Sequence, residues 1–125
     1  MNERYIRQTM IPEIGEAGQE KLKNAKVLIV GIGGLGSPIS LYLTAAGVGQ
    51  IGLIDDDIVS RSNLQRQILY TEAEIGQSKV ECACRRLSAL NSSTRFETYL
   101  NRFTSDNADR LVSAYDIIID GCDNA

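Results

Sequence analysis

The 125-residue chain contains no histidine. Histidine-based general-base catalysis and histidine-ligated zinc are therefore excluded within it. Cysteine is scarce. Cys82, Cys84 and Cys122 are too few and too poorly spaced for a disulfide scaffold or a Cys-x-x-Cys metal site. Cys82 and Cys84 stand two apart on a predicted helix, so they point in different directions and cannot share a metal. All three read as small core residues. No apolar stretch approaches the roughly 18 residues that span a bilayer. The opening Met1-Asn2-Glu3-Arg4 lacks the apolar core of a signal peptide. A cytoplasmic protein with no membrane contact is expected. A basic excess is missing too: 13 Lys and Arg against 16 Asp and Glu leave a net charge of -3. That balance argues against a general nucleic-acid binder and confines any anion site to a local cluster.

What is present is ordinary for a single globular domain: 43% hydrophobic and 23% charged residues, without repeats, low-complexity segments or linkers. Residues 14–24 read as a short polar helix. Val27-Leu28-Ile29-Val30 reads as a strand buried on both faces. Leu35, Ile39, Tyr42, Leu43 and Ala46 recur at helical spacing, and Gly47 and Gly49 stop that helix. Ile51 to Ile54 forms a second buried strand, closed by three aspartates. The polar stretch 58–76 is irregular with a short helical turn. Val80, Ala83, Cys84, Leu87 and Leu90 form one apolar stripe of a helix from about Ser78 to Leu90. Residues 95–100 alternate like a third strand, 106–112 like a helix, and 116–120 like a fourth strand. Right-handed crossovers turn this rhythm into a parallel sheet. The expected class is α/β, a Rossmann-like doubly wound parallel sheet truncated after about four strands.

Gly31-Ile32-Gly33-Gly34-Leu35-Gly36 carries a G-x-G-x-x-G between a strand and a helix, the context that gives this weak motif its meaning. Gly31 permits the tight turn, Gly33 and Gly34 let backbone approach a phosphate, and Gly36 lets helix and strand pack closely. Amides at the helix start and the helix dipole then favour an anion. Asp55 closes the second strand about 20 residues further on, where an acidic side chain accepts ribose hydroxyls. The alternative for Asp55, Asp56 and Asp57 is a solvated strand end; for Asp56 it is the favoured reading.

To this point NAD and ATP fit equally, which leaves an NAD(P)-binding oxidoreductase domain as an alternative. Cationic side chains separate the two. Cleavage of ATP develops charge on a leaving pyrophosphate, and chemistry of that kind uses positioned Arg, Lys and metal. Arg66 and Lys79 lie on segments able to return to the strands' C-terminal edge.

The residues then carry a resemblance. Arg4-Tyr5-Ile6-Arg7-Gln8, the glycine loop, Gly47-Val48-Gly49, Asp55-Asp56-Asp57, Ser62-Asn63-Leu64-Gln65-Arg66-Gln67, Gly76-Gln77-Ser78-Lys79 and Asp120-Gly121-Cys122-Asp123-Asn124 stand in one order. Together they resemble the ThiF/MoeB/HesA family of adenylating enzymes, relatives of the ubiquitin-activating enzymes, over the whole chain. The resemblance implies an adenylyltransferase that activates the C-terminal carboxylate of a ubiquitin-like sulfur-carrier protein of the ThiS/MoaD type. Thiamine, molybdenum-cofactor and other sulfur-transfer pathways all belong to it. It places Gly34 at the ATP phosphates, Asp55 at the ribose, and Asn63 and Arg66 at the polyphosphate. Lys79 would stabilise charge near the α-phosphate. Asp123 would hold magnesium, with Asn124 beside the nucleotide. Arg7 would reach the triphosphate of the neighbouring subunit of a homodimer. Asp57 joins the nucleotide-binding set, whereas Asp120 belongs to strand-end structure.

Family members continue for a similar length or more, with a carrier groove, often a Cys-x-x-Cys zinc site and sometimes a catalytic cysteine. Residues 1–125 are thus expected to be the N-terminal ATP-binding part of an adenylating domain whose C-terminal half is absent. No zinc site lies within the chain, Cys122 is not that nucleophile, and the chain alone is expected not to adenylate a carrier at a useful rate. A non-catalytic truncated interaction module is the remaining alternative.

Overall fold

Val27, Leu28 and Ile29 are consecutive and all buried, so the strand that holds them must be covered on both faces. The computed structural model describes residues 15–64 and 69–121, apart from the side chain of Asn63. Its elements run α1 (Gly15–Asn24), β1 (Lys26–Val30), α2 (Gly36–Ala46) and β2 (Gln50–Ile54). Two 3-10 turns follow (Arg61–Asn63 and Glu72–Glu74), then α3 (Lys79–Leu90), β3 (Arg95–Tyr99), α4 (Ser105–Ala114) and β4 (Ile117–Asp120). β1 pairs in parallel with β2 and β4, and β2 with β3, giving the order β3-β2-β1-β4. The predicted parallel α/β sheet is what forms.

Side chains alternate between two cores, as the period of a strand requires. Val27 and Ile29 of β1 and Ile51 and Leu53 of β2 pack with Val80, Ala83 and Leu87 of α3, and with partly buried Leu22 and Ile39 from α1 and α2. Leu28 and Ile54 face the other way, against Leu111 of α4 and Tyr115. Helices therefore lie on both faces. No helix among the described residues is long and apolar enough to cross a membrane.

The helical period of α2 was legible, and Ile39 and Leu43 of its predicted stripe pack partly buried against the core, but the rest of its buried face was not foreseen. Leu35 is 56% exposed and Tyr42 76% exposed, while Ser37, Ser40 and Thr44 are buried. Small side chains win because the helix starts inside the glycine loop and runs close to the sheet. Ser37 Oγ donates to the Ile32 carbonyl at 3.5 Å and Ser40 Oγ to the Ser37 carbonyl at 2.7 Å, whereas the buried Thr44 hydroxyl has no hydrogen-bond partner among the described residues. The helix ends at Gly47, whose φ of 94° is a left-handed cap. On α3 the predicted stripe holds at Val80, Ala83 and Leu87, whereas Cys84 and Leu90 are only half-buried and Cys82 and Lys79 are buried as well.

Candidate functional site

In a sheet of this order the chain leaves β1 toward β2 on one side and returns to β4 on the other, so the switch point at which folds of this kind form a ligand crevice lies beyond the C-terminal ends of β1 and β4. The glycine loop leaves β1 at that edge. Gly31 turns with φ 88° and donates to the Ile54 carbonyl at 2.9 Å. A side chain at Gly36 would run into the Gly31 carbonyl oxygen, and one at Gly121 would meet that oxygen at 2.7 Å and Gly36 Cα at 2.8 Å. Three glycines thus meet backbone to backbone where β1, α2 and β4 converge. Gly121 was not among the sequence-derived site residues. Only the pairing of β4 with β1 brings it there.

The loop is held from two sides at Ile32. Asp55, at the end of β2, accepts the Ile32 N–H at 2.8 Å through one carboxylate oxygen and the Asp57 N–H at 2.8 Å through the other. On the opposite side, the buried Tyr70 hydroxyl donates to the Ile32 carbonyl at 2.7 Å. Ile32 is therefore clamped through both its backbone donor and its backbone acceptor, which belong to successive peptide groups. Asp55 keeps lone pairs for a ligand, since a carboxylate offers about four acceptor sites. Tyr70 is a residue that sequence reading missed; its one signal is a tyrosine just past the S-N-L-Q-R-Q element.

Burial raises the Tyr70 pKa above its usual range, and the Asp55 charge adds to the effect. Burial, then the hydrogen bond with Tyr99, raises Tyr115 in the same way. A phenol whose folded pKa is raised contributes stability that is fully present below the unfolded value of about 10 and is lost as pH rises toward the folded one. Urea denaturation between about pH 8 and pH 11 should accordingly show stability falling with pH, and Tyr70→Phe should lose about 1 kcal/mol at neutral pH and decline less steeply. An unchanged slope in Tyr70→Phe would remove Tyr70 from that dependence.

Charge at this edge is paired locally. One carboxylate oxygen from each of Asp55, Asp56 and Asp57 lies within 4.8 Å of the other two. Asp56 lies 3.5 Å from exposed Arg102, and Asp57 lies 3.7 Å from the Lys79 ammonium. With two members neutralised and Asp55 already accepting two amides, the cluster is a poor cation cage. Lys79 opens α3 directly after its N-cap Ser78, and its N–H donates to the Asp57 carbonyl at 3.1 Å. Further links hold this segment to the end of β2: an antiparallel bridge between Ile58 and Ser78, and a Val59 N–H donating to the Gln77 carbonyl at 2.8 Å.

Of the site residues read from sequence, Gly31, Gly33, Gly34, Gly36, Asp55, Asp57 and Lys79 come together at this edge. Arg7, Arg66, Asp123 and Asn124 lie outside the described residues, as do Cys122 and the side chain of Asn63; the Asn63 backbone closes the first 3-10 turn. Cys82 is buried, and burial followed by its Glu74 neighbour raises its pKa, which suits a core thiol and not a nucleophile. Cys84 is half-buried.

A glycine loop between β1 and α2, an acidic residue ending β2 and a strand-order reversal beside them define a Rossmann-like α/β domain, the class of fold that takes nucleotides at this edge. Residues 5–125 match the model of the ThiF family, and the chain belongs to that family. It is 48% identical to the sulfur carrier protein adenylyltransferase of Thermus thermophilus, covering 98% of this chain and 45% of that protein. It is 51% identical to the adenylyltransferase and sulfurtransferase MOCS3 of Culex quinquefasciatus, covering 97% of this chain and 28% of that protein. Among solved structures, the tRNA N6-threonylcarbamoyladenosine dehydratase TcdA of E. coli in complex with ATP superposes with a TM-score of 0.90 at 31% identity, over 98% of this chain and 50% of that one. The chain spans half or less of the length of each of these three relatives.

Proposed function

We propose that this chain forms the nucleotide-binding part of an adenylyltransferase that activates the C-terminal carboxylate of a ubiquitin-like sulfur-carrier protein. The observation that carries the reading is the chain of contacts that joins the glycine loop, Asp55 and a buried lysine at one edge of the sheet. A buried ammonium suits a polyphosphate better than the two-charge diphosphate of NAD, which a helix start can largely handle alone. The near-half identity to a protein named for sulfur-carrier adenylylation supports the choice of substrate.

In the proposed step a carboxylate oxygen of the carrier attacks the α-phosphorus of ATP. A new O–P bond forms, the bond from that phosphorus to the bridging oxygen breaks, and pyrophosphate leaves with the electron pair. A C-terminal carboxyl has a pKa of about 3.3–3.7 and is already ionised, so the step needs no general base. That fits a chain without histidine. Catalysis then rests on alignment and charge neutralisation. Gly33 and Gly34 approach the phosphates, Asp55 accepts from the ribose, and Lys79 faces the charge developing near the α-phosphate. Asn63, Arg66 and Asn124 complete the nucleotide contacts, and Arg7 acts from the neighbouring subunit of a homodimer in the cytoplasm. Asp123 would hold magnesium, which supplies neutralisation of phosphate charge.

The experiment is ATP–pyrophosphate exchange in the full-length protein with its carrier. Arg66→Ala and Asp123→Ala should each lower the exchange rate about 100-fold or more. Exchange at the unaltered rate in both variants would sink this mechanism.

A further inference from the structure

The Lys79 side chain is 5% exposed, whereas that of its partner Asp57 is 69% exposed, and the two are 3.7 Å apart, longer than a hydrogen bond. Among the described residues no other carboxylate pairs with this ammonium. Its position is also electrostatically unfavourable: the first residue of a 12-residue helix sits at the positive end of the dipole, where an anion is preferred. The side chain of a first-turn residue leans toward the helix N-terminus, which here is the crevice side. Burial keeps the cation from solvent, so an anion must neutralise it. The exposed carboxylate is the member of the pair free to turn into water.

Resting on the nucleotide-binding reading above, we propose that Asp57 is a positioning residue that holds the Lys79 ammonium at the crevice and yields it to an incoming polyphosphate. The backbone supports this division of labour. The Asp57 carbonyl accepts the Lys79 N–H, and the Asp57 N–H donates to Asp55, which in turn holds the glycine loop through Ile32. The main chain of Asp57 therefore fixes where α3 starts relative to the loop, independently of its carboxylate. The carboxylate is left with one electrostatic task, competing with phosphate for a single cation. Arg102 and Asp56 form a separate exposed pair beside it and do not share that cation.

The competition has a sign. Removing the carboxylate while keeping its shape frees Lys79 for phosphate, so an Asp57→Asn variant should bind ATP more tightly. The test is equilibrium binding of ATP and of adenosine to the full-length protein in EDTA, in four forms: unaltered, Asp57→Asn, Lys79→Met and the double variant. The expected result is ATP binding about threefold to tenfold tighter in Asp57→Asn. That gain should shrink below about twofold on the Lys79→Met background, and adenosine binding should be unchanged throughout. A structural role for Asp57 predicts instead weaker ATP binding, equal in both backgrounds, with a lowered melting temperature. Any of three results overturns the proposal: ATP binding in Asp57→Asn that is weaker or unchanged, an equal gain on both backgrounds, or an equal gain for adenosine. If the unaltered protein binds ATP, those results leave the nucleotide-binding reading standing. Absence of ATP binding by the unaltered protein overturns both.

Discussion

Gly36→Ala is expected to abolish ATP binding and to destabilise the domain by about 3 kcal/mol. The added methyl would enter the Gly31 carbonyl oxygen, and neither that backbone oxygen nor a Cβ fixed by its own backbone can be moved aside by a rotamer change. Relief requires α2 to draw back from β1, which pulls the buried Ser37 and Ser40 from their places and opens the loop that faces the phosphates. Gly76 supplies the comparison. It has φ 90° but nothing within 4 Å of a would-be side chain, so Gly76→Ala should lose about 1 kcal/mol through backbone strain and keep its nucleotide affinity. Urea denaturation and calorimetric titration with ATP read both quantities. Normal affinity in Gly36→Ala would show that the loop does not hold the nucleotide.

Lys79→Met should lower pyrophosphate exchange about 100- to 1,000-fold in the full-length protein while leaving it folded. Methionine keeps most of the aliphatic stem, and removal of a cation from a helix N-terminus relieves an unfavourable dipole interaction of about 0.3–1 kcal/mol. Asp57, mostly exposed, is hydrated easily once alone. Stability should therefore stay within about 1 kcal/mol of the unaltered protein, so a large rate loss would report charge at the reacting phosphate and not unfolding. An exchange rate within a few-fold of normal would leave Lys79 a structural residue.

Much of the frame was legible because periodicity survives in short elements. Val27 to Val30 and Ile51 to Ile54 read as strands because a short apolar run stopped by glycine or aspartate fits a strand covered on both sides. Gly47 marked the end of α2 because only a residue without a Cβ takes its left-handed cap cheaply. The buried face of α2 was legible only in part, at Ile39 and Leu43. Hydrophobicity points to Leu35 and Tyr42, whereas close approach to the sheet selects Ser37, Ser40 and Thr44 by size. In the candidate site, Asp55 was found by its offset from the glycine loop, but not its grip on Ile32; Tyr70 and Gly121 were not found. Each of these depends on a contact made far along the chain, and residue type alone says nothing about which distant backbone a hydroxyl or a bare Cα will meet.

By itself the sequence determined the order of strands and helices, the chemistry excluded for want of histidine, and the residue types available to an anion: glycines, a lysine and aspartates in family order. Those follow from local sterics and side-chain chemistry, which a linear chain already contains. Tertiary structure alone decided that β4 returns beside β1, that Asp55 and Tyr70 hold the N–H and the carbonyl of one residue, Ile32, and that Lys79 is buried against Asp57. These are set by which surfaces meet when the sheet is covered, and burial then fixes how strongly each charge is felt.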